Sequence, residues 1–432
     1  MADNQATPFS ELSINQTGGI GVQVTIQDIT GFSFALREVF WGDSTSDSGS
    51  YIGEAPGGVS TIPARLGYGN DGSVVYEQSL SGNNTIAQVD SAGVLSVLFT
   101  ENVTALPALS ATLGSISFAS QTPEGTPYFV ANYTPTGGVE SSALFAGSTP
   151  TAVLKTGDAL GNTALVVAGS GSTNFAIDDD AEYKQSGAYI ASVQLADSSD
   201  VSSQVSEALV VSGDVALVDA LPVITGQTFT GARSGLTIQV SSNPDVFEVV
   251  DEVWEDITDV AVNSSGQWIA AMTSNANSEN GDDYLLVNGE IVTTVVDSGS
   301  LTGVGSSASI EAVAINEQGD YVYVYDNDLY LNDILVLDTD DTVEMTDYQI
   351  DDGVSPYSLA SLVGNLQITD RGPGGTVTIY GAGRIFGTGT ALSADEIVFA
   401  LDFVIPEPAM ALGVVGLGVL GLRLTRRDSS AA

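Results

Sequence analysis

A chain of 432 residues with 10 Lys plus Arg against 54 Asp plus Glu carries a formal net charge of −44, and it has no Cys and no His. Nucleic acid is excluded as a partner because phosphate binding needs a basic surface. A disulfide framework, a thiol nucleophile, the usual zinc ligand set and a Ser-His-Asp triad are excluded with the missing residue types.

What remains is chemistry by carboxylates, Lys, Tyr or Ser, on a surface that repels anionic polymers and anionic membranes and attracts cations such as Ca²⁺. The body, residues 7–403, reads as one all-β repeat domain. Its 48 Gly, β-branched runs and frequent Asn/Asp/Gly turns predict short strands at close spacing. In chain order, a strand, polar turn, strand unit recurs. It spans Leu12 to Val24 around Asn15-Gln16-Thr17-Gly18, Leu66 to Tyr76 around Asn70-Asp71-Gly72, and Ile116 to Val130 around Thr122-Pro123-Glu124-Gly125. It returns from Phe175 to Ile190 around Asp178-Asp179-Asp180-Ala181, then in the clearest pair, Asp259 to Ala270 around Asn263 and Gly266 and Glu311 to Val322 around Asn316 and Gly319. The last runs from Leu366 to Tyr380 around Asp370-Arg371-Gly372. Turn positions 18, 72, 125, 181, 266, 319 and 374 lie 54, 53, 56, 85, 53 and 55 apart, which makes seven units.

Four strands can be counted inside one unit: Asp259 to Asn263, Gln267 to Thr273, Asp283 to Val287 and Glu290 to Val296, the last two joined by Asn288-Gly289. Asn-Gly between apolar runs is a strong hairpin signal, because both residues accept the positive φ of a type I′ turn. The hairpin recurs at Asn332-Asp333. Four antiparallel strands per unit of about 50 residues predict a β-propeller of seven four-stranded blades, with six blades or a β-sandwich array as alternatives. The repeats resemble those of secreted bacterial propellers with an Asn-x-x-Gly turn in each blade. The turn Asn is read as a fold marker, bonding its local backbone.

The 85-residue interval holds an insertion of about 20 residues with the acidic stretch Asp245, Glu248, Asp251, Glu252, Glu255, Asp256 and Asp259. Val246, Val249, Val250, Val253, Trp254 and Ile257 interleave at helical spacing, which predicts a short amphipathic helix, with an edge strand as the alternative.

No catalytic residue is assigned. Carboxylates cluster at Asp178-Asp179-Asp180, at Asp326 and Asp328, and at Asp338, Asp340 and Asp341. Oxygen-rich turns of this kind are weak Ca²⁺ candidates, and none has the EF-hand pattern; no other cofactor is expected. A glycosidase needs two carboxylates on a rigid scaffold, and no pair can be singled out here. Trp41, Trp254 and Trp268 are read as core packing before sugar stacking. The basic residues of the body, Arg37, Arg65, Lys155, Lys184, Arg233, Arg371 and Arg384, look scattered.

Residues 404–432 form a separate tail. Pro406-Glu407-Pro408 can neither continue a strand nor lie inside a helix. The apolar run 409–422 is expected to form a short helix. Its 14 residues fall below the roughly 20 of a spanning helix, and Gly413, Gly416, Gly418 and Gly421 weaken it. Arg423, Arg426 and Arg427 then favour the cytoplasmic side of a bilayer and act as a stop. This tripartite tail resembles a PEP-CTERM sorting signal, a resemblance confined to about 24 residues. It implies export by a Gram-negative bacterium, recognition of Pro406, Glu407 and Pro408 by an exosortase-type membrane peptidase, and transient membrane contact through 409–422.

Such proteins begin with a signal peptide, whereas Met1 to Pro8 has no basic or apolar region. A start upstream of Met1 is the expectation. Two function classes follow: a non-catalytic protein of the outer surface or extracellular matrix, with exopolysaccharide as a candidate partner, or a secreted propeller-type carbohydrate-active enzyme.

Overall fold

The computed structural model describes residues 6–14, 20–27, 35–42, 50–54, 66–80, 83–169, 175–179, 181–232, 234–235, 237–242, 245–249, 251–276, 282–295, 309–338, 357–362, 366–387, 395–405 and 421–425. These residues are all-β. Every strand pairing is antiparallel, and the only helical turns are two 3-10 turns at Pro107–Leu109 and Pro373–Gly375. No described helix is long and apolar enough to cross a membrane.

Among the described residues the strands group, in chain order, into seven sheets of four or five strands and two separate hairpins. The first sheet holds Ala6–Ile14, Ile20–Gln27, Ala35–Gly42 and Ser50–Glu54; the second holds Leu66–Tyr68, Val74–Leu80, Asn83–Val89 and Leu95–Thr100. The third runs from Ala105–Leu106 through Ala111–Gln121, Pro127–Tyr133 and Ser141–Ala146 to Thr151–Lys155. The fourth is built on the long hairpin Tyr189–Asp197 and Asp200–Val211, flanked by Leu165–Val167, Glu182–Tyr183 and Asp214–Val215. The fifth holds Thr228–Phe229, Glu252–Val262, Trp268–Ala276, Asp283–Val287 and Glu290–Val295. The sixth is Ile310–Ile315, Tyr321–Tyr325, Asp328–Leu331 and Ile334–Leu337. The seventh contains Tyr357–Leu362, Gln367–Ile368, Thr376–Gly387, Asp395–Val404 and Gly421–Thr425.

The first, second, third and sixth sheets are meanders in chain order, while the fourth, fifth and seventh skip a strand or a hairpin between their first two members. The predicted Asn288-Gly289 and Asn332-Asp333 hairpins form, with φ of 52° and 88° at the first and 47° and 64° at the second, the signs that a type I′ turn requires. The cores lie between sheets. Val75, Ile86 and Phe99 pack with Leu113, Phe129 and Phe145 across the second and third sheets, and Val130, Leu144 and Leu154 with Val193, Leu195 and Val210 across the third and fourth. Similar shared cores join the fourth to the fifth, the fifth to the sixth and the sixth to the seventh. The strand Ala6–Ile14 of the first sheet lies against Leu66–Tyr68 of the second and also against Thr376–Gly387 and Asp395–Val404 of the seventh. An antiparallel meander with two apolar faces per strand set explains why successive sheets stack instead of leaving one face wet.

Three expectations need correction. The stretch around Asp245 to Asp259 is not helical: Asp245–Val249 is one strand of a hairpin and Glu252–Val262 is the long second strand of the fifth sheet. Two register shifts, between Trp254 and Asp256 and between Ile257 and Asp259, explain the misleading pattern. Each bulge adds a residue to the strand period of two, so the buried Trp254, Ile257 and Val260 recur every third position as they would on a helix.

In the fourth repeat the turn between paired strands is Lys184 to Gly187, joining Glu182–Tyr183 to Tyr189–Asp197, with Gly187 at φ 92°, and it lies after the predicted Asp178-to-Ala181 position, of which Asp180 is outside the described residues. The fourth position therefore moves from 181 to 187. The tail helix is also not borne out at its end, because Gly421 and Leu422 belong to the strand Gly421–Thr425, paired with Asp395–Val404. An edge strand there satisfies backbone groups that a glycine-rich helix would hold weakly.

Candidate functional site at the turn end of the sheets

Among the described residues six turns between the repeats' leading strands share one hydrogen-bond pattern, also present at Asp90 to Val94 within the second sheet, in which residue i donates to the carbonyl of i+4 and the amide of i+3 donates back to the carbonyl of i. They begin at Gly69, Thr122, Lys184, Asn263, Asn316 and Gly372 and place glycine at 72, 125, 187, 266, 319 and 375, all with positive φ. Glycine stands there because the left-handed conformation costs other residues energy.

Neighbouring turns are bonded to each other. The Asn70 amide donates to the Pro123 carbonyl (2.6 Å) and the Thr126 hydroxyl to Gln185. The Ser264 amide donates to Glu317 (2.9 Å), and the Glu317 amide to Asp370 Oδ1 (2.9 Å). The Asn side chains do more than their expected local bonding. Asn263 Oδ1 accepts from the amides of Ser265 (3.1 Å) and Gln267 (2.9 Å), while its Nδ2 crosses to the Asn316 carbonyl (3.0 Å). Asn316 repeats this, with its Nδ2 reaching the Thr369 carbonyl at 3.1 Å. Each is a local turn former and a tie to the next sheet.

Asn263 is fully buried, so Asn263→Ala should cost about 2 kcal/mol through amides left without an acceptor. Asn263→Ser, whose hydroxyl can still accept from these amides but which loses the crossing donor, should recover about half of that. Urea titration of both variants measures it, and equal midpoints for Ala and Ser would contradict the assignment.

Two basic residues that look scattered in sequence sit in this ladder. Lys184 Nζ pairs with Glu182 Oε1 at 2.7 Å, and Glu182 Oε2 accepts the Val262 amide of the fifth sheet at 2.6 Å. Burial alone would lower the Lys184 pKa; Glu182 first, and then Tyr128 and Glu317, outweigh it and raise it. Tyr128 belongs to the third sheet and Glu317 to the sixth, so the field at this ammonium comes from other sheets as well as from its own partner Glu182. At the other side Arg371 donates to Asp320 through Nε (2.6 Å) and Nη2, while Asn316 Nδ2 (3.1 Å) and Asn332 Nδ2 (3.0 Å) complete the carboxylate's shell. Burial pushes Asp320 up, but these hydrogen bonds and the guanidinium charge hold it below the ordinary carboxylate value.

The chemistry of this end follows from these shifts. A lysine nucleophile needs a depressed pKa and a general acid a raised one; Lys184 and Asp320 move in the opposite directions. Their charges are spent on holding sheets together.

The sequence-level candidates lie elsewhere. Asp178 is exposed and its Oδ1 accepts the Asp179 amide at 2.7 Å; Asp180 lies outside the described residues. Asp326 and Asn327 are the two positive-φ residues of a hairpin turn, at 50° and 68°, with Asp328 opening the next strand. Among the described residues no group of three or more acidic side chains is arranged to hold a metal. Asp338 is described, whereas Asp340 and Asp341 are not. Trp254 and Trp268 are buried, Trp254 stacked on Phe229 with centroids 3.6 Å apart; the side chain of Trp41 is outside the description. Arg423 stands in the edge strand Gly421–Thr425 opposite Ala400. Pro406, Glu407, Pro408, the run to 420, Arg426 and Arg427 lie outside the described residues.

Sequence reasoning also missed a buried pair in the fifth sheet: Tyr284 donates to Glu252 Oε2 (2.6 Å) and accepts the Ala232 amide (2.9 Å). Its trace in sequence was Glu252 within the acidic stretch read as an amphipathic helix, where it looks like one solvated acid among several.

No family model matches the chain, and no curated protein matches it. Among solved structures it is similar to a mutant of levansucrase from B. megaterium, at 13% identity and a TM-score of 0.28, covering 93% of this chain and 83% of that one. It is also similar to the extracellular domain of a hybrid two-component system from B. thetaiotaomicron, at 9% identity and a TM-score of 0.18, covering 99% and 78%. Scores of this size carry no argument about function.

Proposed function

We propose that the chain is a seven-bladed β-propeller that acts without catalysis at the outer surface or in the extracellular matrix of a Gram-negative bacterium, sorted there through residues 404–432. The propeller reading is supported by seven sheets in chain order, cores shared between successive sheets, and contact of the strand Ala6–Ile14 with the seventh sheet. The single observation that carries the sorting reading is the order Pro406-Glu407-Pro408, apolar run 409–422, then Arg423, Arg426 and Arg427. In that reading an exosortase-type membrane peptidase is the processing partner, and the apolar run holds the chain at the membrane until it is cut. The non-catalytic reading draws support from the turn end, where Lys184 and Asp320 are tuned for pairing and not for proton transfer.

The test is expression behind a secretory leader in a host with and without an exosortase. Mature protein at the surface lacking the arginine cluster is expected in the first host, and a tail-bearing membrane form in the second. Pro406→Ala with Pro408→Ala should convert the first outcome into the second. A soluble cytosolic chain still carrying Arg426 and Arg427 overturns the proposal. Incubation with a polysaccharide panel separates the alternative of a carbohydrate-active enzyme: new reducing ends would establish it, and retention without cleavage excludes it.

A further inference from the structure

The strand Tyr321–Tyr325 alternates Tyr, Val, Tyr, Val, Tyr, so Tyr321, Tyr323 and Tyr325 share one face. That face is turned to the fifth sheet, where Tyr323 joins Leu285, Val295 and Ile269 in a common core. Tyr330 of the next strand stands opposite Tyr323 in register, its ring stacked on Tyr323 at 5.0 Å and 8° and tilted against Tyr325 at 6.2 Å and 40°. Tyr323 is buried, while Tyr321, Tyr325 and Tyr330 are partly buried at the edge of that core. Tyr321 and Tyr323 spend their hydroxyls on Asp333 (2.7 and 3.4 Å). Among the described residues no hydrogen bond engages the hydroxyl of Tyr325 or Tyr330. Leu335, 44% exposed, pairs with Tyr330 and extends the apolar surface outward.

Among the described residues the charged side chains that act on these rings are all carboxylates. Asp326, Asp328 and Asp338 come from the sixth sheet and Asp283 from the fifth, all near enough to act on Tyr325 or Tyr330. No Lys or Arg occurs anywhere between Arg233 and Arg371. A patch of partly exposed, stacked phenol rings offers flat apolar surface with polar tips to a pyranose, and favours a cation over its faces. A rim of carboxylates supplies acceptors for ammonium and hydroxyl donors and rejects anionic chains.

We propose that this tyrosine patch, at the rim of the core shared by the fifth and sixth sheets, binds a cationic amino-sugar chain, the pyranose rings stacked on Tyr325 and Tyr330 and the ammonium groups facing Asp283, Asp326 and Asp328. The site goes beyond the sorting reading and stands without the tail; it rests on the non-catalytic reading only in expecting retention without cleavage.

The test is calorimetric titration of the full chain with a glucosamine hexamer, its fully N-acetylated counterpart, polygalacturonate and oligolysine. Binding of the glucosamine hexamer is expected, with the acetylated chain about tenfold weaker and polygalacturonate inert. Tyr330→Ala should weaken binding about tenfold, and Tyr330→Phe, which keeps the stack and the fold, should change it little. Asp326→Asn keeps a residue that tolerates the left-handed turn and, combined with Asp328→Asn, should flatten the salt dependence. Four results would overturn the site: no binding of the glucosamine hexamer, equal binding of the acetylated chain, an unaffected Tyr330→Ala variant, or oligolysine binding as tightly as the sugar. Shortened oligomers after incubation would instead sink the non-catalytic reading and leave the site standing, and failed processing in the exosortase host would touch only the tail.

Discussion

Arg371→Ala is expected to lose about 3 kcal/mol of stability, because it leaves a nearly buried carboxylate without its cation. The Asp320 side chain is 3% exposed and that of Arg371 33%, so the cost falls on the acid that stays behind. Two asparagines remain to hold it, and they come from the same turn and hairpin of the sixth sheet; what disappears is the charged tie to the seventh, beside the hydrogen bonds from Asn316 to Thr369 and from Glu317 to Asp370. Arg371→Lys should recover only part of the loss, since one ammonium cannot reproduce the two-pronged contact of a guanidinium. Asp320→Asn with Arg371→Met should cost less than Arg371→Ala alone, a coupling that a double-mutant cycle in urea will show.

The same pair sets an acid limb. The folded pKa of Asp320 lies below its ordinary value of 3.8, so its contribution is complete above that value and is lost as pH falls through the folded pKa. Stability should therefore decline on acidification more steeply in the natural protein than in Asp320→Asn. Parallel acid limbs would show that the pair contributes nothing to the junction between the sixth and seventh sheets.

Gly67→Ala should cost about 3 kcal/mol or more. A Cβ at Gly67 would lie 2.0 Å from the Gln121 backbone nitrogen and 2.9 Å from its Cα. Neither can move without shifting the third sheet against the second. The two strands are clamped there: Ser120 Oγ donates to the Leu66 carbonyl (3.3 Å), and Gln121 Nε2 donates to the carbonyls of Gly67 (3.2 Å) and Ser73 (2.7 Å). Gly125→Ala is the control. It has positive φ but nothing within 4 Å of a Cβ, so it should show only the conformational cost, about 1 kcal/mol. Hydrogen exchange in Gly67→Ala should lose protection over 66–76 and 116–121 together, and a loss confined to the second sheet would contradict the backbone-to-backbone junction.

The repeat was legible because it rests on local chemistry. Asn263 to Gly266 and Asn316 to Gly319 announce their turns through residues that tolerate positive φ, and Asn288-Gly289 and Asn332-Asp333 do the same for hairpins. The fourth repeat was misplaced because three consecutive aspartates resemble a turn as strongly as Lys184-Gln185-Ser186-Gly187 does; only the glycine's conformation separates them. The stretch after Glu252 was misread because two bulges convert a strand period into a helical one, and a bulge leaves no mark in composition. Neither Lys184 nor Arg371 could be recognised, since their partners lie in neighbouring repeats.

By itself the amino-acid sequence determined the strand class, the repeat near 53 residues, most of the turns and the three-part order of the tail, because each depends on residues within a few positions of one another. The tertiary structure alone decided which acids are spent in bonds between sheets, which glycines permit two backbones to touch, and that four tyrosines gather beside a carboxylate rim. Those outcomes depend on register and on stacking between repeats, where an angle or a bulge of one residue moves a side chain from solvent to core.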